Sequence, residues 1–254
     1  MKGLRLDAME QYILHNERVT IAQLQRHFDV SVNTLRRDLG ELERRGHVVK
    51  VYGGAMAHAH GPLKPMPERF HSKVPEKRRI GELAAGLIPD GVTVFVDSGS
   101  TACHIIRGLK NRKSLTLVTH SLTALNEAAR LSGLNLIGLG GIYNSSVDAF
   151  VGGSTYDSIR NLSVQIAAMA ASGISIRHGL SNNTYFEAEL KREVVKNCKT
   201  LLLLADGDKF DREALFSFCP LEKVSAVVTD RPPHPRYLEF FDKQGIQVLY
   251  PVEK

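Results

Sequence analysis

The sequence predicts an α/β protein with two domains: a small, mainly helical N-terminal domain and a larger C-terminal domain built on a mostly parallel sheet. The chain has 254 residues, which suits one small and one medium domain. Residues 1 to about 55 show helical spacing of apolar residues, whereas short apolar runs alternate with helical patterns from about residue 76 onward. We therefore expect domains at residues 1–56 and 76–254, joined by a linker at 57–75.

The composition is typical of a globular protein, with 43% hydrophobic and 24% charged residues. The formal net charge of +6 favours an anionic partner without specifying which one. Three widely spaced cysteines, without a Cys-x-x-Cys pair, argue against a disulfide framework and a structural zinc site and suit a reducing compartment. No apolar run reaches the roughly 18 residues of a membrane helix, and residues 1–7 lack the apolar core of a signal peptide. We expect a cytoplasmic protein with no membrane partner.

Two helices are predicted at the start of the N-terminal domain. Each carries three apolar residues at helical spacing, which indicates one buried face. These residues are Leu6, Met9 and Ile13 in the first helix and Ile21, Leu24 and Phe28 in the second. Thr20 is a suitable N-cap for the second helix, and Asp29 with Val30 predicts a tight turn after it.

A third helix follows Ser31, which is its expected N-cap. At about 100° per residue, its apolar residues share a sector of roughly 80°; they are Val32, Leu35, Leu39 and Leu42. The opposite face centres on Asn33, Arg37 and Arg44, with Thr34 and Glu41 beside them. Arg36 is expected near the edge of the buried stripe.

This arrangement is typical of a helix-turn-helix, because a short turn joins two helices and the second presents amide and guanidinium groups outward. Asn can pair with adenine and Arg with guanine, while other Arg residues bind phosphates. After a stop at Gly46, residues 47–52 predict a strand pair or wing closed by Gly53-Gly54. Arg44 and Lys50 suit either phosphate contacts or solvated charges. On periodicity alone, a basic helical bundle that does not bind DNA is an equal alternative.

Specific residues favour DNA binding. They are Val30-Ser31-Val32-Asn33-Thr34-Leu35-Arg36-Arg37-Asp38-Leu39, then Leu42-Glu43, Gly46 and Gly53-Gly54-Ala55. This pattern closely resembles the N-terminal signature of the DeoR family of bacterial transcriptional regulators. The resemblance implies a winged helix-turn-helix that binds double-stranded operator DNA. It also implies that five residues lie at the DNA surface: Ser31, Asn33, Thr34, Arg36 and Arg37.

The predicted linker contains four prolines and is basic. The prolines are Pro62, Pro65, Pro67 and Pro75. Between residues 60 and 80, Lys and Arg outnumber Glu by six to two. We interpret residues 57–75 as an extended connection. His58 and His60 lie in it without a third ligand, so a metal site is not expected.

Seven short apolar runs mark the expected strands of the C-terminal domain. They lie at 92–96, 115–118, 134–138, 166–170, 200–205, 224–229 and 246–250. Helical patterns separate most of them, for example at 101–109, 122–131 and 185–197. This alternation is typical of βα units wound into a mostly parallel sheet.

Two segments at predicted strand ends suit an anion. Asp97-Ser98-Gly99-Ser100-Thr101 joins a strand to a helix and offers hydroxyl groups, backbone N–H groups and a helix N-terminus. The second segment, Asp206-Gly207-Asp208-Lys209-Phe210, adds an ammonium group. Both should lie at the carboxyl edge of the sheet, where ligands gather in α/β folds. Neither is a nucleotide-binding motif, so no cofactor is expected. The alternative interpretation of the first segment is a capped turn without a ligand.

The family resemblance continues through this domain. The matching features include Thr119 before Ser121, Gly140-Gly141, Ser172-Gly173-Ile174 and Lys209-Phe210. The resemblance implies a domain similar to ribose-5-phosphate isomerase that binds a phosphorylated sugar or a related metabolite. By that resemblance, Ser98, Gly99, Ser100, Thr101 and Lys209 surround the phosphate. Asp97, Thr119, Ser172, Gly173, Glu187, Lys191 and Asp206 are expected nearby.

Two residues depart from the family pattern. His120 replaces the usual asparagine, and Asp208 stands where serine is common. An acid beside Lys209 would repel a phosphate unless it points away or pairs with that lysine. Both departures bear on the identity of the effector.

Three functions are compatible with these motifs. The favoured one is a homo-oligomeric repressor of carbohydrate-metabolism genes whose effector favours an arrangement poor for DNA binding. A sugar-phosphate isomerase would need a positioned base, but residues 168–173 contain no carboxylate and Glu187 would act alone. An architectural DNA-binding protein would bind no effector.

Overall fold

The computed structural model describes residues 2–16, 18–45, 48–51, 53–57 and 66–251. The chain divides into two compact units, residues 1–64 and 65–254. The first unit has one apolar core and the second has two. Within the described residues, no helix is long and apolar enough to cross a bilayer.

The N-terminal unit consists of three helices and a small antiparallel sheet. Its elements are α1 (Lys2–Asn16), β1 (Arg18–Thr20), α2 (Ile21–Phe28), α3 (Val32–Arg45), β2 (Val48–Val51) and β3 (Gly54–Ala57). The strand order is β1-β3-β2. This is the predicted winged helix-turn-helix. One detail differs, because the stretch predicted as a strand pair is the single strand β2, and the chain turns at Gly53 to form β3.

Local hydrogen bonds define both ends of the turn between α2 and α3. Thr20 forms a capping box with Gln23 at the start of α2. The helix ends at Asp29, whose backbone is left-handed with φ 47°. The Ser31 hydroxyl then accepts a hydrogen bond from the backbone N–H of Thr34 at 3.2 Å. The three predicted caps and turns are therefore present.

The predicted apolar faces form the core of this unit. The buried residues are Leu6, Met9, Ile13, Val19, Leu24, Leu35, Leu39, Leu42, Val48 and Ala55. Because Leu35, Leu39 and Leu42 all point inward, the orientation of α3 about its axis is fixed. Asp38 is also buried, and its carboxylate accepts a hydrogen bond from Arg5 Nε at 2.9 Å.

The C-terminal unit is built on a seven-stranded parallel sheet. The strands are β4 (Thr93–Val96), β5 (Leu115–Thr119), β6 (Leu134–Gly138), β9 (Val164–Met169), β12 (Cys198–Leu204), β14 (Ala226–Val228) and β15 (Gln247–Leu249). Their order is β15-β14-β12-β9-β4-β5-β6, and every pairing is parallel. All seven predicted runs contribute one strand each, so the predicted α/β class is confirmed.

Helices connect these strands. They are α5 (Val74–Gly86), α6 (Leu122–Ala128), α7 (Gly153–Arg160), α8 (Tyr185–Asn197) and α9 (Pro235–Lys243). The helical pattern at 101–109 forms a 3₁₀-helix over Ala102–Leu109. A hairpin of β7 (Ile142–Asn144) and β8 (Ala149–Val151) and a small sheet of β10 (Gly173–Ser175), β11 (Gly179–Asn182) and β13 (Phe216–Cys219) were not predicted. Their strands have only three or four residues, too few for a clear alternating pattern.

The predicted linker is only partly an extended connection. Residues 58–65 lie outside the described residues, and with them His58, His60 and two of the prolines. Met66–His71 form helix α4. Met66 is fully buried in the same apolar core as Ile80 of α5, so this part of the segment is a packed helix. Apolar burial outweighed the proline signal here.

Side chains of β4 enter both cores of the C-terminal unit. Phe95 packs in the core that contains Leu190 and Val194 of α8, whereas Val94 and Val96 pack in the core that contains Ile80 of α5. This alternation follows from the two-residue repeat of a strand, and it shows that both faces of the sheet are covered. The carboxyl ends of the central strands are therefore enclosed between helices.

Candidate functional site

The outward side of α3 carries the predicted DNA-reading residues. Asn33, Arg36 and Arg37 are exposed, and Thr34 is half-buried. We call these four residues the reading face. Within the part of the chain that the structure describes, neither Arg36 nor Arg37 forms an ion pair. The face therefore offers one amide and two guanidinium groups to solvent.

The flanking residues of the reading face differ from one another. Ser31 is exposed, and its hydroxyl lies 3.0 Å from that of Thr34. Lys50 pairs with Glu43, with Nζ 2.8 Å from a carboxylate oxygen. Arg44 lies in α3, but its side chain is outside the described residues. The Arg36 side chain, which was expected near the edge of the buried stripe, is exposed.

Asp97 is the centre of the second site, directly after β4. One of its carboxylate oxygens, Oδ2, accepts hydrogen bonds from the backbone N–H groups of Gly99 at 3.2 Å and Ala170 at 3.1 Å. Lys191 Nζ lies 2.9 Å from the same oxygen. Because Asp97 is completely buried, these contacts fix the start of the loop at residues 97–101, which we call the sensor loop.

Lys191 reaches Asp97 from α8. Its ammonium also donates to the Ala170 carbonyl at 2.7 Å and to Asn182 Oδ1 at 3.2 Å. Both members of the pair are at most 2% exposed. Burial opposes ionisation of Asp97. The positive charge of Lys191 and the hydrogen bonds to the Asp97 carboxylate outweigh burial and hold the pKa of Asp97 below its usual value.

The hydroxyl groups of the sensor loop are buried, and a lysine contacts one of them. Ser98, Ser100 and Thr101 are at most 7% exposed. Lys77 Nζ of α5 donates to Ser100 Oγ at 3.1 Å and also contacts the Arg69 carbonyl. Lys77 was not predicted as a site residue, because a lone lysine in a basic segment carries no recognisable signal.

Lys77 is a buried cation without a carboxylate partner among the described residues. It is 3% exposed and forms no ion pair with any described Asp or Glu. Burial lowers its pKa to about 8, although Asp206 acts in the opposite direction. Its ammonium donates hydrogen bonds to the Arg69 carbonyl and to the hydroxyls of Ser72 and Ser100. Its charge has no contacting carboxylate, and because a buried charge of this kind is costly, this position favours an added anion.

Further cations surround the sensor loop. Arg69, Lys73 and Lys209 interact electrostatically with Lys77, and Arg212 interacts with Lys209. We call these five residues the cation cluster. Burial and the neighbouring positive charges lower the pKa of Lys209. Such a concentration of positive charge suits a phosphate group.

Asp208 does not pair with Lys209. Its carboxylate instead contacts Lys73 and lies 2.7 Å from the guanidinium of Arg231. These two bonds lower the pKa of Asp208 to about 2. The acid beside Lys209 is therefore engaged elsewhere, which removes the main objection to a phosphate near Lys209.

Two glycines allow close approach of backbone segments. A Cβ at Gly99 would lie 2.4 Å from the Ala170 side chain, so only glycine lets the sensor loop pack against the end of β9. A Cβ at Gly173 would lie 2.5 Å from the Arg212 carbonyl. Gly173 therefore allows close packing of the chain against Arg212, and its expected position near the effector stays a prediction.

The predicted effector residues mostly converge on one edge. Strands β12, β9, β4 and β5 are neighbours in the parallel sheet, so their carboxyl ends lie at the same edge. The residues at these ends are Asp206, Ser172, the sensor loop and Thr119. Thr119 is used internally, since its hydroxyl donates to the Val96 carbonyl at 2.7 Å. Thr184 caps the start of α8, because its hydroxyl accepts a hydrogen bond from the Glu187 backbone N–H at 3.2 Å and lies 2.8 Å from the Glu187 carboxylate, to which it donates. No contact brings that carboxylate to the Asp97 group among the described residues.

The remaining titratable groups show no metal or redox chemistry in the described residues. No group of three or more His, Cys, Asp or Glu is arranged to hold a metal ion there. Cys103 and Cys219 are buried, and burial raises the pKa of each thiol to about 12. At such pKa values the reactive thiolate form is scarce.

Comparison with known proteins covers nearly the whole chain. The DeoR-like helix-turn-helix domain matches residues 5–60, and the DeoR C terminal sensor domain matches residues 72–231. The HTH-type transcriptional regulator IolR of Bacillus subtilis is 34% identical over 98% of this chain and 99% of its own length. The glycerol-3-phosphate regulon repressor of Escherichia coli is 30% identical over 91% of each chain. The L-fucose operon activator of Haemophilus influenzae is 27% identical over 94% of this chain and 96% of its own. Among solved structures, ribose 5-phosphate isomerase A from Methanocaldococcus jannaschii aligns with 55% of each chain, at 21% identity and a TM-score of 0.41.

Proposed function

Because this chain belongs to the DeoR family of transcriptional regulators, we propose that it represses genes of carbohydrate metabolism under the control of a phosphorylated sugar or a related metabolite. Two relatives named above are repressors or regulators, and one of them is named for glycerol 3-phosphate. A third is an operon activator. The sign of regulation is therefore a part of the proposal that the experiment below addresses.

We assign operator recognition to the reading face. Asn33 and Arg37 are exposed on the side of α3 opposite its buried leucines, where an amide and a guanidinium can reach base edges in the major groove. Arg36, Ser31 and Thr34 then contact the DNA backbone. Arg44 and Lys50 add phosphate contacts, and Lys50 must leave Glu43 to do so. Exposed ion pairs are weak, so this exchange is inexpensive.

Effector binding rests on one observation above all: Lys77, a buried ammonium without a carboxylate partner among the described residues, contacts the hydroxyl of Ser100. A phosphate group on the sensor loop supplies the missing negative charge. Lys209 lies in the same cation cluster and binds the same anion. Charge-assisted hydrogen bonds of this kind are the strongest available to a phosphate.

The protein acts by binding and not by catalysis. An aldose–ketose isomerase needs a carboxylate that can move a proton. Asp97 is held by Lys191 and by two backbone N–H groups, and its low pKa makes it a poor base. Conversion of ribose 5-phosphate to the ketose by the purified protein would contradict this proposal.

We further propose that sensor units associate into a homo-oligomer, which places two or more reading heads on a repeated operator. An effector that binds one arrangement of the oligomer more tightly than another shifts the population between them. About 1–3 kcal/mol of coupling is enough to change operator occupancy.

The proposal is tested by titration of an operator with and without effector. DNA selected from a random pool by the purified full-length protein serves as the operator, and fluorescence anisotropy measures affinity. We expect at least one sugar phosphate to raise the thermal midpoint in proportion to the logarithm of its concentration and to change operator affinity. If no phosphate ester alters either quantity, the protein is an architectural DNA-binding protein.

A double variant separates the effector site from the reading face. Ser100→Ala combined with Lys209→Ala should abolish stabilisation by the sugar phosphate while operator affinity without effector stays unchanged. Stabilisation that survives this variant would show that the phosphate binds elsewhere.

A further inference from the structure

Among the described residues, four buried side-chain atoms have no hydrogen-bond partner, and two of them lie where β4 and β5 end, one in the sensor loop and one beside it. These two are Oδ1 of Asp97 and Nδ1 of His120. Asp97 is 0% and His120 2% exposed. Burying a polar atom without a partner is unfavourable, and most such atoms in native proteins are paired with protein, water or a ligand. These atoms therefore indicate a polar group that the chain itself does not supply.

The two atoms belong to neighbouring strand ends. Val96 of β4 and Thr119 of β5 are direct partners in the parallel ladder, so Asp97 and His120 follow in register on adjacent strands. Adjacent strands lie about 4.8 Å apart. Asp97 and His120 also interact electrostatically, so a small group bound at this edge would lie near both side chains.

Surrounding contacts fix both side chains. The His120 ring stacks on Phe95, with ring centroids 5.7 Å apart and an interplanar angle of 9°. The other oxygen of Asp97 is already occupied by Lys191, Gly99 and Ala170. Only Oδ1 remains free to accept a hydrogen bond, and the contacts of Oδ2 fix its direction.

We propose that Asp97 and His120 select the effector by its hydroxyl groups: Asp97 Oδ1 accepts a hydrogen bond from a hydroxyl of a carbohydrate or polyol, and His120 Nδ1 forms a hydrogen bond with a neighbouring oxygen. The inference rests on the proposed function, since the sensor loop and Lys77 hold the phosphate of the same molecule. His120 is thus a specificity-determining residue, at a position where the sequence departs from the family's usual asparagine.

The chemistry of the two groups restricts the ligand further. Asp97 is ionised, so a carboxylate or a second phosphate at this position would be repelled. Burial lowers the pKa of His120 to about 4, and the ring is therefore neutral near pH 7. A neutral ring has one donor and one acceptor nitrogen. Alcohol or carbonyl oxygens fit this pair, whereas an unsubstituted alkyl phosphate leaves both atoms unsatisfied.

The test compares ligands that differ by one hydroxyl group. Isothermal titration calorimetry on the full-length protein uses ethyl phosphate, hexose 6-phosphates, pentose 5-phosphates and their monodeoxy analogues. We expect one sugar phosphate to bind about 10- to 100-fold more tightly than a monodeoxy analogue, because removal of that hydroxyl leaves a buried group unpaired. In His120→Phe, which keeps the stacked ring without its nitrogens, this ratio should fall to about threefold or less. Ethyl phosphate affinity should not change.

His104 provides a matched control. It is also buried and stacked, with its ring centroid 4.6 Å from that of Phe70 and its Nδ1 without a partner, but it lies on the 3₁₀-helix. His104→Phe should leave the discrimination intact. Retention of full discrimination in His120→Phe would overturn the inference while the proposed function stands. Failure of every phosphate ester to bind the unmodified protein would overturn both.

A measurement on the unmodified protein covers the case in which His120→Phe does not fold. Long-range ¹H–¹⁵N NMR correlation follows the imidazole nitrogens, with His120 assigned from His120→Asn. The Nδ1 resonance of His120 should shift when the preferred sugar phosphate binds and stay in place with ethyl phosphate. Equal spectra with both ligands would mean that water occupies this position, and the inference would be wrong.

Discussion

The reading face and the sensor loop both rely on polar side chains, but they hold them in opposite ways. Asn33 and Arg37 are exposed and are held only by the orientation of α3. Asp97, Lys77 and Lys191 are buried and are held by hydrogen bonds from several elements. The first site can therefore lose its functional groups without loss of fold, whereas in the second site ligand binding and stability are coupled.

The largest expected effect is on the buried ion pair. Lys191→Met leaves Asp97 charged and buried without its partner, and we expect the free energy of unfolding to fall by about 3–5 kcal/mol. Lys196→Met on the same helix breaks an exposed pair with Glu193, 2.8 Å apart, and should cost about 1 kcal/mol or less. Urea unfolding followed by circular dichroism measures both. Equal losses would contradict the distinction between buried and exposed groups.

Lys77→Met should separate binding from stability within the sensor site. Removal of a charged hydrogen bond to phosphate should weaken sugar-phosphate binding by about 1.5–3 kcal/mol. The unliganded protein should lose less stability than in Lys191→Met, because Lys77→Met removes hydrogen bonds to Arg69, Ser72 and Ser100 but leaves no contacting carboxylate unpaired. Calorimetric titration and thermal unfolding measure the two effects. Lys110→Met, at an exposed lysine outside the cation cluster, should change binding far less. Loss of binding in Lys77→Met together with a loss of stability as large as in Lys191→Met would contradict the role assigned to Lys77.

Arg37→Ala tests the exposed site. We expect operator binding to weaken by about 1–3 kcal/mol if the guanidinium reads a base, with no change in thermal stability because the side chain is exposed. The adjacent change Asp38→Asn should do the reverse, since Asp38 is buried and bonded to Arg5 at 2.9 Å. Fluorescence anisotropy and thermal unfolding distinguish them. An unchanged operator affinity in Arg37→Ala would remove Arg37 from the reading face.

The smallest expected effect is a pH dependence of phosphate binding. Lys77 has a pKa of about 8, lowered by burial, so its charged form predominates at pH 7 and is the minority at pH 9. A phosphate ester stays a dianion over this range, since its second pKa is about 6. Affinity should therefore fall about tenfold from pH 7 to pH 9. Lys77→Arg keeps its charge throughout and should abolish the decline. A decline that persists in this variant would arise from another group.

Much of the fold could be predicted because apolar periodicity is a local property. The spacing of apolar residues in α3 predicted its buried face, and all seven apolar runs of the C-terminal domain form strands of one sheet. The resemblance to the DeoR signature was likewise carried by contiguous residues. Prediction was weaker where local signals conflicted. The prolines at 57–75 suggested an extended linker, yet Met66 and Phe70 provided enough apolar contact for α4 to form.

The sequence by itself determined the outward face of α3, the seven strands and the segments that follow them, because each depends on residues close together in the chain. Only the tertiary structure decided that Lys77 reaches Ser100, that Asp208 contacts Arg231 and Lys73, and that Lys191 pairs with Asp97. Each of these contacts depends on where distant elements meet and on which charges are removed from water. Neither spacing nor composition encodes those distances, so the buried half of the sensor site could be read only from the folded chain.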